Sequence, residues 1–315
     1  MKQTTKKIVW FVAFLAVGSI PVFGKPFAVG PYLGQTPPGP VAQVFAPGLI
    51  CDTRPHQSES HGHFSADGNT FCFNRLGYVY ITENTDQGWT YPERIKSIPY
   101  HTYSCCLSPD ANSIYFFMCL SFTRSIQNSY DPSKGWSLHR CMRTSQGWSL
   151  PQELGPPFTS SGQAWGFSVS ADNSIYFRGS KIPYGRGCFW VAPFVGNTWP
   201  RAIKIPVEKG NLKGCDPGIA PDKSFMVFYS KRPGAPGGTE TDLYLTLQRP
   251  DGTWTKPRNM GPKINTAYHE FGARISPDKK YMFFTRSNGW GENSNRDTFD
   301  IYWVELKEYL PESHR

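Results

Sequence analysis

The sequence predicts an all-β fold in which four-stranded antiparallel units repeat around a ring as the blades of a propeller. Three observations predict it: a turn motif that occurs five times, an aromatic-rich strand after each turn, and a tryptophan–proline signal late in most units. The composition agrees, since aromatic residues make up 15% of the chain and charged residues only 18%. The 30 glycines and 28 prolines supply many tight turns.

The turn motif joins the first and second strands of each unit. Its five copies are F-S-A-D-G at 64–68, L-S-P-D-A at 107–111, V-S-A-D-N at 169–173, I-A-P-D-K at 219–223 and I-S-P-D-K at 275–279. The aspartate side chain accepts hydrogen bonds from the amides that follow it, and proline fixes φ where it is present. Each copy therefore predicts a hairpin.

The fourth strand of each unit is marked by Trp with Pro close behind, at 89–92, 148–151, 199–200 and 254–257. Because proline cannot donate to a central ladder, we expect this strand to form the outer edge of the blade. The fifth unit ends before such a strand. Residues 41–50 resemble the end of an outer strand and are predicted to close the last blade. Five blades are predicted, with a sixth, degenerate blade as the alternative.

The clearest repeats resemble a known family. The motifs S-P-D-x-x-Y-x-F-F, D-I-Y-W-V and W-x-x-P-x-N-M-G-x-x-I-N-T are similar to the WD-like propeller repeats of the TolB type, and the likeness covers residues 41–306. The resemblance implies an exported bacterial propeller associated with the cell envelope. It implies no single activity, because one fold supports many functions.

The start of the chain has the pattern of a cleaved signal peptide: lysines, then an apolar run at 8–20, then small residues at Val22 and Gly24. We therefore expect a periplasmic or secreted monomer with no membrane span after cleavage. The predicted organisation is a signal peptide at 1–24, a lead-in at 25–40, the propeller at 41–306 and a C-terminal tail at 307–315.

Charge and cysteine content narrow the function further. The formal charge is +9, but no lysine- or arginine-rich run is present, so nucleic acid is not an expected partner. Eight cysteines suit disulfides in an exported protein. Several of them lie in apolar strand-like runs, where a free cysteine acts as a small core residue, and the pairing stays open.

One face of the propeller is predicted to bind a ligand. The loops between second and third strands and the links between blades hold every long segment, and both lie on this long-loop face. Cationic groups beside aromatic rings there suit an anionic or sugar-like ligand. The candidate ligand-binding residues are Tyr103, Trp165, Lys181, Arg186, Arg232, Glu270, Arg274, Arg286 and Trp290.

A metal site is the second candidate. His61 and His63 are two residues apart, so in an extended strand both rings face the same side. With Asp216 from another blade they form a candidate site for a divalent metal. The alternative is a pair of hydrogen-bonded histidines near the channel, with no cofactor.

The sequence contains no G-x-S-x-G, P-loop or dinucleotide motif, and no catalytic residue is assigned. The leading hypothesis is a non-catalytic exported propeller that binds an envelope protein or a glycan on its long-loop face. The alternative is a carbohydrate-active enzyme, a glycosidase or lyase, that uses the carboxylates of Glu59, Asp216 and Glu270 and a divalent metal.

Overall fold

Five antiparallel sheets stand in a ring, which confirms the predicted all-β propeller with five blades. The structure is a computed structural model, and it describes residues 27–52, 58–99, 102–119, 136–158, 166–179, 187–206, 214–231, 241–287 and 298–315. The innermost strands of neighbouring blades contact one another in sequence order, and the fifth contacts the first, so the ring is closed.

Each blade runs outward from the central channel. The first contains β2 (Glu59–Phe64), β3 (Thr70–Arg75), β4 (Tyr78–Thr85), β5 (Gly88–Trp89) and β6 (Glu93–Arg94). The second contains β7 (Thr102–Leu107), β8 (Ser113–Cys119), β9 (Trp136–Thr144), β10 (Gly147–Trp148) and β11 (Gln152–Glu153). The third contains β12 (Phe167–Val169), β13 (Ile175–Gly179), β14 (Cys188–Ala192) and β15 (Ile203–Lys204). The fourth contains β16 (Cys215–Ile219), β17 (Phe225–Ser230), β18 (Asp242–Leu247) and β19 (Arg258–Asn259). The fifth contains β20 (His269–Ile275), β21 (Tyr281–Ser287), β22 (Phe299–Glu305) and, from the start of the chain, β1 (Gln43–Val44).

The predicted N-terminal closure of the last blade is confirmed. Strand β1 pairs antiparallel with β22, with Gln43 opposite Trp303 and Val44 opposite Tyr302. Phe45 follows at once, is fully buried, and its ring centroid lies 5.0 Å from that of Phe283 and 5.2 Å from that of Trp303. Burial of a side chain of this size stabilises by about 1.5–3 kcal/mol, so Phe45 anchors a strand only two residues long.

The outer edge of the blades follows the tryptophan–proline signal. In the first two blades the edge divides into two short strands on either side of the proline, and both strands pair with the same neighbour. Proline lacks the donor that a continuous ladder needs, which explains the interruption. The lead-in adds one more pairing, because Ala28 forms an antiparallel bridge with Trp89.

The turn motif forms the predicted hydrogen bonds. In the first blade Ser65 Oγ donates to Asp67 Oδ1 at 2.5 Å, and the main-chain amide of Asn69 donates to the same oxygen at 3.0 Å. The blades with Ser108, Ser170 and Ser276 repeat this serine–aspartate bond. The fourth blade has Ala220 in place of the serine, and Ser224 supplies the hydroxyl instead.

The core lies between the blades, with one apolar cluster in each of the five seams in the described part of the chain. Aromatic rings dominate the seam between the fifth and first blades. Seven of the eight cysteines are described as free thiols, and six of these are buried, so they serve as core residues there. In the same described residues, no helix is long and apolar enough to cross a membrane.

Candidate binding site

Every blade has a residue with a positive φ in its innermost strand or directly before it, four positions before the serine or alanine of the turn motif. The five residues are His61 (φ 55°), Ser104 (55°), Gly166 (70°), Asp216 (46°) and Gly272 (63°). Register shifts typical of β-bulges occur at this place in four of the blades. A bulge bends the strand and redirects a side chain, so these residues form a ring around the channel.

Two members of this ring meet inside the channel. His61 Nε2 lies 3.6 Å from Asp216 Oδ2, and the two side chains are 0% and 1% exposed. They come from the first and fourth blades, which are not neighbours in the ring. Burial lowers the pKa of His61, while the Asp216 carboxylate acts in the opposite direction. His61 Nδ1 also contacts Ser60 Oγ at 3.1 Å.

A second pair crosses the channel from the fifth blade to the second. Arg274 Nη2 donates to Ser104 Oγ at 2.8 Å, and Nη1 donates to the carbonyl oxygen of Ala273 at 2.8 Å. Arg274 is 1% exposed. Together with the His61–Asp216 pair it fills the middle of the channel with polar side chains, which we call the channel plug.

A cavity of about 450 Å³ lies on the long-loop face, above the channel plug. It is formed by the ends of strands from the first, second, fourth and fifth blades. Its lining in the described part of the chain consists of Ser58, Ser60, Asn74, Leu76, Gly77, Thr102, Tyr103, Tyr229, Thr241, His269, Phe271 and Phe299. None of these residues is a lysine, arginine, aspartate or glutamate.

Aromatic rings form the floor and walls of this cavity. The ring centroids of Tyr103 and Phe271 lie 4.6 Å and 5.7 Å from that of His61, so both rings separate the cavity from the channel plug. Phe271 also packs edge-on against Tyr229 and Phe299. Burial raises the pKa of the Tyr103 phenol well above its usual value, and the Asp216 charge adds to this, so the phenol stays protonated. The cavity therefore presents apolar ring surface with a few hydroxyl and amide groups.

On the side of the first blade, the short turn between β3 and β4 lines the cavity. Leu76 and Gly77 alone form this turn, both with positive φ (49° and 76°). Two consecutive residues with positive φ are the requirement of a type I′ hairpin turn. Glycine adopts a positive φ freely, whereas leucine does not. Leu76 nevertheless occupies this turn, where it lines the cavity with 45% of its surface exposed.

A smaller cavity of about 150 Å³ lies at the other mouth of the channel, on the side of the turn motifs, and His63 and Arg274 line it. His63 Nε2 lies 3.7 Å from Cys106 Sγ. Burial lowers the pKa of His63 to about 3 and raises that of Cys106 to about 11. Both groups are therefore neutral near pH 7, and the pair does not provide the thiolate that nucleophilic catalysis needs.

The predicted ligand-binding residues fall into four groups. Tyr103 lines the long-loop cavity as a ring wall. Arg274 lies in the channel and lines the opposite cavity, not the long-loop face on which it was expected. Glu270 and Arg286 bind each other, with Nε of the arginine 2.8 Å from Oε1 of the glutamate. The other predicted residues lie outside the described part of the chain, namely Trp165, Lys181, Arg186, Arg232 and Trp290.

The predicted metal ligands do not converge. His61 lies beside Asp216, but His63 lies deeper in the channel, where its Nδ1 accepts a hydrogen bond from the Leu107 amide at 3.2 Å. The bulge between Ser60 and His63 breaks the two-residue alternation on which the prediction rested. In the described part of the chain, the one group of three or more potential ligands within 4.8 Å of one another is Cys51, Glu59 and Asp300.

The sequence analysis missed Phe271, Tyr229 and Phe299. A signal for Phe271 was present, since it precedes Gly272 just as Tyr103 precedes Ser104. Comparison of the residues before the five ring positions would have identified both as equivalent. Tyr229 and Phe299 stand at strand ends in aromatic runs, and no sequence pattern separates them from core residues.

The fold and the site define a five-bladed β-propeller with a channel closed by side chains and an aromatic cavity at one mouth. Solved structures are similar in fold. A protein assigned as TolB from Agrobacterium tumefaciens is 15% identical with a TM-score of 0.51, and the match covers 79% of this chain and 78% of that one. At this identity the similarity shows the fold alone, and at that level it confirms the likeness to TolB-type repeats.

Two further solved structures match with lower TM-scores. TolB from Acinetobacter baumannii is 7% identical with a TM-score of 0.44, covering 79% of this chain and 57% of that one. The hydrazine synthase of Kuenenia stuttgartiensis is 15% identical with a TM-score of 0.42, covering 82% and 65%. No family model matches the sequence, and no curated protein matches it either.

Proposed function

We propose that this protein is an exported, non-catalytic propeller that binds a partner protein on its long-loop face, with an apolar segment of the partner in the cavity. The observation that carries the proposal is the cavity itself: about 450 Å³, walled by aromatic rings, without a charged residue in its described lining. Binding energy in protein interfaces concentrates in apolar anchors that fill such pockets.

Export is part of the proposal because of the predicted signal peptide at residues 1–24, which lie outside the described part of the chain. An envelope protein is then the expected partner.

A glycan is the second candidate ligand. Tyr103, Tyr229 and Phe271 offer ring faces on which a sugar can stack, and Ser60 and Thr102 place hydroxyl groups beside them. The cavity is large enough for one or two sugar units. Its largely apolar character favours the protein segment.

The carbohydrate-active enzyme gains no support from the described residues. Of its three expected carboxylates, Glu59 and Glu270 are fully buried in ion pairs with Arg75 and Arg286. Asp216 is buried against His61 in the channel plug. None lines the cavity, so a substrate seated there would not meet the pair of carboxyl groups that glycoside hydrolysis requires.

The test uses a random-peptide phage library selected on the immobilised mature protein. Selected peptides should carry apolar or aromatic residues, and Phe299→Ala should weaken their binding by about 30-fold, the loss of one strong anchor. Tyr91→Ala is the matched control, because Tyr91 is 66% exposed on the outer edge. Equal affinity of the wild type and Phe299→Ala would overturn the proposal. A positive glycan array, with binding lost in Tyr103→Ala, would favour the second candidate instead.

A further inference from the structure

The seam between the fifth and first blades contains a compact group of Cys51, Glu59 and Asp300. One ligand atom from each side chain lies within 4.8 Å of the other two. Cys51 and Glu59 are 1% and 0% exposed, and Asp300 is half-buried, so the group reaches solvent on the Asp300 side. It lies behind the wall of the long-loop cavity, because the next residues along the strands, Ser58 and Phe299, line that cavity.

The preceding seam, between the fourth and fifth blades, provides an internal reference. There Asn265 bonds the main chain of Leu243 in both directions, at 2.8 Å and 3.0 Å. Cys51 does the same with Ile301: its thiol accepts a hydrogen bond from the Ile301 amide at 3.2 Å and approaches the carbonyl oxygen at 3.5 Å. Cys51 therefore occupies the position of Asn265.

The surrounding residues repeat as well. Arg286 binds Glu270 and donates to the carbonyl oxygen of Ile264 at 2.7 Å. In the next seam Arg75 binds Glu59 at 2.7 Å and donates to the carbonyl oxygen of Ile50 at 2.6 Å. Asp300 matches Asp242, since each begins the D-I-Y or D-L-Y segment of its third strand.

In the reference seam, side-chain donors satisfy both carboxylates. Asn259 Nδ2 donates to Asp242 Oδ2 at 2.6 Å, and Asn265 Nδ2 donates to Asn259 Oδ1 at 2.9 Å. Thr266 donates to Glu270 through its hydroxyl at 2.6 Å and through its amide at 3.3 Å. In this seam hydrogen bonds from side chains therefore reach both carboxylates.

The seam between the fifth and first blades has different residues at the positions of these three donors. Cys51 replaces Asn265, Val44 replaces Asn259, and Asp52 replaces Thr266. Glu59 Oε2, fully buried, has no hydrogen-bond partner among the described residues, although the Asp52 amide lowers the carboxyl pKa somewhat. Burial raises the pKa of Glu59 to about 7, and the Arg75 guanidinium acts in the opposite direction.

We propose that Cys51 Sγ, Glu59 Oε2 and a carboxylate oxygen of Asp300 bind a divalent transition-metal ion of the Zn²⁺ type, which gives the buried Glu59 Oε2 a partner. One thiolate and two carboxylate oxygens are ligands that Zn²⁺ accepts, with a fourth position left for water. At Zn–S and Zn–O distances of about 2.3 Å and 2.0–2.2 Å the three atoms must close together by about 1 Å, which side-chain rotation allows.

The neighbouring groups suit such a site. The Ile301 amide already donates a hydrogen bond to Cys51 Sγ, and such a donor stabilises a thiolate. Arg75 binds Oε1 of Glu59 and thereby orients the carboxylate with Oε2 towards the group. This inference does not depend on the proposed ligand of the long-loop cavity.

Co²⁺ titration of the chelator-treated full chain tests the proposal. We expect one equivalent of Co²⁺ to produce a thiolate-to-cobalt charge-transfer band, Zn²⁺ to displace it, and the melting temperature to rise with Zn²⁺ concentration. Cys51→Ser should abolish the band, and Glu59→Gln should weaken binding about 10- to 100-fold. Cys215→Ser, which removes a half-buried free thiol elsewhere, should leave the band unchanged.

The double variant Cys51→Asn with Val44→Asn copies the reference seam and keeps the test decisive if Cys51→Ser folds poorly. It should fold, lose the charge-transfer band and no longer respond to Zn²⁺. No band in the wild type would overturn the proposal. A band that survives in the double variant, or disappears in Cys215→Ser, would overturn it equally.

Discussion

Gly166 of the third blade packs directly against Asp216 of the fourth, so that a Cβ atom on Gly166 would overlap both the carboxylate and the main chain of Asp216. Gly272 packs in the same way against His61, because a Cβ atom on Gly272 would lie 2.9 Å from His61 Nε2. The two glycines occupy ring positions with positive φ. They leave the space in which His61 and Asp216 meet, so the channel plug depends on glycine at two of the five equivalent positions.

Gly166→Ala should therefore destabilise the protein by about 3 kcal/mol or more, the sum of overpacking and a left-handed alanine. Gly272→Ala should cost less, because the nearest atoms belong to a side chain. Chemical denaturation gives both values. Gly68→Ala is the matched control, since Gly68 also has positive φ but no atom lies near its Cβ position, and it should cost only about 1–2 kcal/mol. Equal losses in all three variants would contradict the packing argument.

The repeats made most of the fold predictable. A serine–aspartate turn, an aromatic strand and a tryptophan–proline edge each encode a local structure, and five copies identify blades. Closure by residues 41–50 was also predictable, because the fifth copy lacks an outer strand and the first copy is preceded by one.

The site was only partly predictable because it depends on a backbone irregularity. His61 and His63 satisfy a two-residue spacing, but the positive φ at His61 turns the strand between them. The ring positions hold His, Ser, Gly, Asp and Gly, and three of these types (Gly, Asp and His) enter the left-handed region more readily than most. That pattern is visible only after the five blades are aligned on their turn motifs. The pairing of Arg274 with Ser104 joins blades that no sequence spacing relates.

Disruption of the Glu270–Arg286 ion pair should be costly, because Glu270 is fully buried and Arg286 is 11% exposed. Arg286→Met leaves a buried carboxylate without its cation, and we expect a loss of about 3–5 kcal/mol. The double variant Glu270→Gln with Arg286→Met should recover part of the lost stability. Lys263→Met, which breaks an exposed pair with Glu308, should cost about 1 kcal/mol or less. A denaturation-based double-mutant cycle with no coupling would show that the pair contributes nothing specific.

The turn aspartates should make the protein sensitive to acid. Burial acts to raise the pKa of Asp172, but hydrogen bonds from Lys223, Ser170 and Ser174 outweigh it and lower the pKa to about 2. The equivalent aspartates of the other blades are also lowered. A lowered folded-state pKa stabilises the protein above about pH 4, and that stability is lost as the pH falls from about 4 towards 2.

Ser170→Ala tests this origin of the acid sensitivity. It removes one donor to Asp172, so the pKa of that carboxyl should rise and the folded protein should lose stability at pH 7. At pH 2, where about half of the Asp172 carboxyl groups of the wild type are protonated, the difference in stability between wild type and variant should be smaller. Carboxyl NMR titration and denaturation at the two pH values provide the measurements. A loss of the same size at both would assign the effect to packing instead.

Leu76 lines the cavity although its backbone has an unfavourable, positive φ. We therefore expect its side chain to contribute to binding. With φ of 49° in a two-residue turn, it adopts a conformation that costs an L-residue about 1–2 kcal/mol. Leu76→Gly should therefore raise the free energy of unfolding by about 1 kcal/mol after the entropy of glycine is deducted.

The Leu76→Gly change also removes apolar surface from the cavity, so a peptide selected on the wild type should bind several-fold more weakly. Ala111→Gly is the matched control, because Ala111 has φ of 55° in a turn on the opposite face, and it should gain stability without loss of binding. If Leu76→Gly binds the peptide as well as the wild type does, Leu76 has no part in the interface.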